Sequence, residues 1–231
     1  MAAKRLLSIL RLPARARRLR APVTSTLDLM DSPVSAISYL ARAKALFKSE
    51  DKASLVYSAL ELRCGVEARL QEHASVAIGV SKNQATQWEI KKLSKTIETA
   101  FGLGDSFLIV QLQMEDGRAC GFFYAPVNSR LQEIAMRFGD YLHAVPHDRV
   151  QDSRFWSELR TMLEEGCPLL ELACSSELLR PSIEHGLHFV LPPSDPRIAI
   201  VQDFQNGAPG TFSTATITPT GPMTFYPPDE V

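Results

Sequence analysis

The sequence predicts an α+β protein, with an N-terminal layer of three helices packed against further helices and an antiparallel sheet of about four or five strands. Two observations carry that reading. Apolar residues recur at helical spacing through residues 33–101, and beyond residue 105 the period switches to the alternation of a strand. Tight-turn residues, Asp116-Gly117 and Asn206-Gly207, then sit between the extended runs.

The fold is expected to be built around residues 49–77. On a helix, Leu55, Ala59, Leu62, Val66 and Leu70 make one stripe, while Tyr57, Leu60, Cys64 and Ala68 make a second on nearly the opposite side. A helix apolar on two sides is held between neighbours, so both stripes are expected to be covered. Arg63 and Glu67 lie one turn apart between them; Glu61, Gly65 and Glu72 take the remaining face, at water or at a close helix crossing. Upstream, Asp31-Ser32-Pro33 joins a capping side chain to a first-turn proline and starts a helix with Ile37, Leu40, Ala43 and Phe47 as its stripe. Ser49-Glu50-Asp51 restarts the chain, so these two helices are expected to pack antiparallel. A third helix is predicted over 85–101, with Trp88 near its start, Ile90, Leu93, Ile97 and Phe101 buried, and Gly102-Leu103-Gly104 ending it.

Val110, Leu112 and Met114 alternate with Gln111 and Gln113, and Phe122-Phe123-Tyr124 return as the partner strand of a hairpin. Asn128 or Ser129 caps a helix bearing Leu131, Ile134, Ala135, Phe138 and Leu142. Ser153 opens another with Trp156, Leu159 and Leu163, which Gly166 is expected to stop, and 168–179 reads as a further helical segment. Residues 187–191, 197–204 and 211–218 read as extended, the last two as a second hairpin. The domain plan is a basic, disordered arm at 1–26, a helical region at 27–104, an α+β region at 105–220 in one body with it, and a loose tail at 221–231.

Charge is divided unevenly along the chain. Lys4, Arg5, Arg11, Arg15, Arg17, Arg18 and Arg20 stand in the arm, whereas all 26 acidic residues fall after residue 24. An acidic body disfavours a broad phosphate-binding surface, and so a nucleic-acid partner. The arm itself reads as a disordered or over-long start with Met30 as a second initiator, as a mitochondrial presequence, or as an arm for nucleic acid or a membrane surface. No apolar run approaches the ~20 residues that span a bilayer, and Cys64, Cys120, Cys167 and Cys174 lack ligand or C-x-x-C spacing. These features fit a reducing, cytoplasmic setting, or a mitochondrial one if the arm is a presequence.

No catalytic set stands out. Gly102-Leu103-Gly104 lies at a helix exit, the reverse of the order that cradles phosphate, and no G-x-S-x-G elbow is present. His143 and His147, or His185 and His188, gain no third ligand at metal-binding spacing, so neither a metal nor a cofactor is implied. Arg63 and Glu67 are an i,i+4 pair that either closes a gap between helices or lines a pocket, with arginine taking phosphate and glutamate positioning it.

The predicted helical hairpin over 33–77, with its Glu61-Leu62-Arg63 and Glu67-Ala68-Arg69 pairs, resembles the core of HEPN-type helical domains of bacterial toxin and defence systems. That resemblance, which extends at most to residue 101, implies one of two functions: cleavage of RNA, by an arginine and a histidine on one helix in an R-x(4–6)-H motif, or protein interaction or nucleotide binding in members without the motif. Here Arg69 and His73 are one residue closer than the motif; Arg137 with His143, and Arg180 with His185, have its spacing. The expected function is a non-enzymatic module that associates with itself or another protein, the alternative a HEPN-like ribonuclease or nucleotide-binding toxin component. Arg63, Glu67, Arg69 and His73, and secondarily Arg137 and His143, are the candidate site residues.

Overall fold

A computed structural model describes residues 23–25, 32–49, 51–143, 151–181 and 187–219. Most of the basic arm, Asp31 of the expected cap, His147, His185 and the tail beyond residue 219 lie outside the described residues. The class is α+β. The helical layer comprises α1 (Ala36–Phe47), α2 (Lys52–Val76), the single turn α3 (Lys82–Ala85) and α4 (Ile90–Phe101). The hairpin β2 (Phe107–Met114) and β3 (Ala119–Tyr124) follows, then α5 (Ser129–Arg137), α6 (Gly139–Leu142) and α7 (Ser153–Cys174). The chain ends in β4 (Leu178–Pro181), β5 (Leu187–Leu191), α8 (Arg197–Gln205) and β6 (Gly210–Ile217).

Ser35 and Asp51 cap α1 and α2 by accepting from the backbone N–H of Ser38 and Ser54. α1 therefore starts at Ala36, three residues beyond the proline that seemed to open it. The two helices run antiparallel: Ser58 Oγ donates to the Ala43 carbonyl at 2.8 Å, Arg42 bonds Glu61, and the Ala36 N–H reaches Glu72 Oε1 at 3.0 Å. Leu55, Ala59, Leu62, Val66 and Leu70 are all buried in the helical core. The second stripe is not covered as expected: Tyr57 is 59% and Leu60 42% exposed, Cys64 is half-buried, and only Ala68 is buried. No element packs over the N-terminal half of that face among the described residues, since the second grip on α2 comes through Ser58, Gly65 and Arg69 instead.

That grip is a close crossing. A Cβ on Gly65 would lie 2.7 Å from Leu170 Cδ2 and 3.2 Å from Tyr39 Cβ, and one on Gly166 would lie 2.9 Å from Leu62 Cδ2. Each glycine of the α2–α7 pair thus receives a leucine from the other helix. This explains why α7 runs unbroken through Gly166 and Pro168, where a stop was expected. Burial of Leu159, Leu163, Cys167, Leu170 and Ala173 along one face outweighs the cost of the lost N–H. The predicted third helix is likewise redrawn: Gln71 Nε2 holds the Gln87 carbonyl at 2.9 Å, Thr86 ends α3, and α4 begins at Ile90 with Trp88 outside it, 66% exposed.

The strands divide between two three-stranded sheets rather than forming one. In the first, β2 is central, antiparallel to β3 and to β6, with Leu108, Val110, Leu112 and Met114 on the buried face. In the second, β5 lies between antiparallel β4 and a short parallel strand, β1 (Val23–Ser25), which the sequence reading had left in the arm. The sheets meet where the Glu177 N–H donates to the Phe123 carbonyl at 3.1 Å, and Phe122 and Phe189 pack edge to face across the join. The expected hairpin of 197–204 with 211–218 does not form. Residues 197–205 are helical because Asp195, before Pro196, accepts the Arg197 N–H and starts α8, whose Ile198, Val201 and Phe204 pack on the sheets. Phe101 packs against both the helical and the sheet core.

Replacing Gly65 with valine forces the α2–α7 crossing apart. Urea unfolding is expected to show a loss of about 2 kcal/mol, whereas a variant as stable as the wild type would mean that the helices do not meet there.

Candidate functional site

The polar residues of α2 separate into two groups. Arg63 and Glu67 form their i,i+4 ion pair at 3.0 Å, each side chain about a quarter exposed or less. Arg63 Nη1 lies beside Gly139, where an added Cβ would approach to 3.1 Å, so the pair fills the gap between α2 and the start of α6. A carboxylate occupies the guanidinium, which leaves little room for a phosphate role.

Arg69 and His73 are carried inward by the same helix, one turn apart and on one face. The Arg69 side chain is 4% exposed; Nη1 donates to Glu72 Oε2 at 2.9 Å, Nη2 to the Ser176 carbonyl at 3.4 Å, and Nε has no partner. Glu72 turns its other oxygen to the first N–H of α1, where a carboxylate is favoured by the helix dipole. His73 is fully buried, with Nδ1 2.9 Å from the Leu179 carbonyl of β4 and Nε2 unpartnered. A carbonyl only accepts, so Nδ1 carries the proton and Nε2 the lone pair. Phe101 and Tyr124 stand edge-on to the ring, with centroids 6.3 and 5.3 Å away. Burial, with the Arg69 charge second, pushes the His73 pKa down to about 3, and burial likewise raises that of the Tyr124 phenol. The imidazole is therefore neutral at physiological pH and walled off from solvent, unsuited to shuttling protons to an RNA backbone.

Arg137 and His143 are both exposed, and the helix is interrupted between them at Phe138, where α5 gives way to α6. Arg180 lies on a strand, not on a helix. None of these joins Arg69 and His73 in a cleft. Among the described residues no group of three His, Cys, Asp or Glu side chains is placed to hold a metal ion, and no helix is long and apolar enough to cross a membrane. The four cysteines are free; burial raises the thiol pKa of each, that of Cys167 to about 11 and that of Cys174 to about 12.

Two cavities flank the buried cluster. One, of about 280 Å³, is walled by Arg69, Glu72, Ser176, Glu177, Asp195 and Arg197. Its charges are paired within the wall: Arg197 meets Asp195 at 2.6 Å and Glu177 at 2.5 Å, and Arg69 meets Glu72. The other, of about 210 Å³, lies at the junction of the helical layer with β3 and includes His73, Glu98, Phe101, Asp105 and Tyr124. Sequence reading missed Glu98, Asp105 and Tyr124, because helix end, loop and strand bring them together only in three dimensions. Trp88 was placed on a helix rather than on the surface for want of any local signal that the helix breaks.

The remaining feature is the open face of α2. Tyr57, Leu60, Cys64 and Gln71 follow one another on a single stripe, and Gln71 holds the loop that carries exposed Trp88. Compared with protein-family models, curated proteins and solved structures, the chain matches none.

Above pH 6.5 His73 is neutral in both folded and unfolded chains. As the pH falls from 6.5 towards 3 the unfolded chain takes up a proton that the folded one refuses, so stability present above 6.5 is lost on acidification. The slope for this group is about 1.4 kcal/mol per pH unit. Urea unfolding at pH 7 and pH 5 should therefore show a smaller acid-induced loss in His73→Gln than in wild type; equal losses would place His73 in solvent.

Proposed function

We propose that this chain is a non-enzymatic association module and that the open face of α2 binds a second copy of it. One observation carries the reading: Tyr57 at 59% and Leu60 at 42% exposure lie on one face of the helix on which the fold is centred, and Gln71, further along that stripe, holds the loop that carries Trp88, 66% exposed. Large apolar side chains grouped on a rigid helix are the usual core of an interface. The stripe is bordered on one side by the Arg42–Glu61 pair and on the other by Arg63–Glu67, so neither a basic nor an acidic partner is selected. A surface with both signs at its edges and an apolar centre suits its own image about a two-fold axis, where each arginine can face the partner's glutamate.

The alternative reading, a HEPN-like ribonuclease or nucleotide-binding component, draws support from Arg69 and His73 sharing a face of α2. Burial of both beneath β4, and the neutral imidazole, weigh against it.

Light scattering coupled to size exclusion tests the association directly. The full chain at about 100 µM is expected to run as a dimer that dissociates on dilution, and Tyr57→Glu with Leu60→Glu to run as a monomer of unchanged helix content. A wild-type monomer at that concentration would contradict the proposal, and RNA cleavage lost in Arg69→Ala would favour the alternative.

A further inference from the structure

The cavity beside His73 has a one-sided polar chemistry that the association reading does not use. Leu70, Ile97, Phe101, Leu103, Val127 and the Tyr124 ring make the apolar part of its wall, and its volume is about 210 Å³. An apolar cavity of roughly 150 Å³ accepts benzene, so there is room here for a compact ring and a short arm.

Four side-chain atoms of the wall, without a partner among the described residues, can only accept. Glu98 Oε2 takes the Gly104 N–H at 2.7 Å, which leaves Oε1. Asp105 Oδ1 takes the Ser129 N–H at 2.7 Å and hydroxyl at 3.1 Å, which leaves Oδ2. Gln132 gives its Nε2 to the Val127 carbonyl at 2.7 Å, and its amide oxygen remains. His73, fully buried, has its Nδ1 committed to Leu179 outside the wall and its Nε2 lone pair unmatched. Hydroxyls of Ser94 and Tyr124 can serve either way. Glu98 and Asp105 are the charged residues of the wall, and neither is in an ion pair among the described residues.

We propose that this cavity binds a small organic cation, a primary amine on a compact apolar body. The body lies against Phe101 and Tyr124, and the ammonium donates to the free oxygens of Glu98 and Asp105. A carboxylate in the same place meets two like charges, and a neutral alcohol offers a single donor and no charge, so the site selects by charge as well as by shape. Position at a junction of layers, with apolar side chains beside convergent polar groups, is typical of small-molecule sites.

The test uses the full chain, with 2-phenylethylamine, phenylacetate and 2-phenylethanol as probes in an amide chemical-shift titration. The amine is expected to shift amides in residues 98–105 and 124–132 saturably, with phenylacetate and 2-phenylethanol each at least about tenfold weaker. Glu98→Gln with Asp105→Asn keeps the bonds to Gly104 and Ser129 through the amide oxygens, and should weaken the amine by about tenfold or more at unchanged melting temperature. Should the double variant not fold, Glu98→Gln alone, at an exposed position, is judged by whether the preference for amine over phenylacetate shrinks. Equal binding of the amine and phenylacetate, an unaltered preference in the variants, or no shifts with about 10 mM amine would overturn the proposal.

Discussion

In the last third of α2, three side chains reach in three directions and fix how the helical and sheet portions meet. Glu72 takes the first N–H of α1 and the Arg69 guanidinium; Arg69 extends to the Ser176 carbonyl in the turn before β4; His73, one turn on, takes the Leu179 carbonyl of β4 itself. A buried ion pair adds little net stability over well-packed apolar residues, because desolvation offsets the attraction. What this one adds is position. An apolar substitute would fill the space without specifying which backbone groups of α1 and β4 lie opposite which turn of α2.

The layout around that segment explains the distribution of chemistry. Because α2 presses its buried face into two layers at once, the two cavities open on either side of Arg69 and His73 instead of merging into one cleft. The arginine and the histidine that a ribonuclease would require together are thereby assigned to different walls, and the histidine is held neutral. The pair Arg63 and Glu67, further up the same helix, serves packing against α6. The open stripe of α2 lies on the side that neither α1 nor α7 covers, and the α3–α4 loop meets it at Gln71, leaving Tyr57 and Leu60 exposed.

Much of this was legible in the chain. The buried stripe from Leu55 to Leu70, the β2–β3 hairpin and helix starts near Asp51 and Asn128 follow from local pattern, because period and turn chemistry act over a few positions; for Gly65 that pattern leaves water and a close crossing both open. What failed depended on partners distant in sequence. Tyr57 and Leu60 have the spacing of covered residues and lack only the neighbour. Gly166 and Pro168 signal a helix end, yet packing of α7 on α2 overrides them. Asp195-Pro196 is a readable start for α8, but the short apolar run Ile198–Val201 behind it fits a buried strand as well as a helix. Pairing of β6 with β2, between residues about a hundred positions apart, leaves no local trace.

The most direct test of this account is urea unfolding of Glu72→Ala beside the wild type. That change orphans the buried Arg69 charge and the first N–H of α1 together. A loss of about 3 kcal/mol or more is expected, with the helical signal and tryptophan fluorescence changing in one shared transition. Stability within about 0.5 kcal/mol of the wild type, the range of an ordinary surface change, would contradict it, and would mean that the layers are held together by something other than the end of α2.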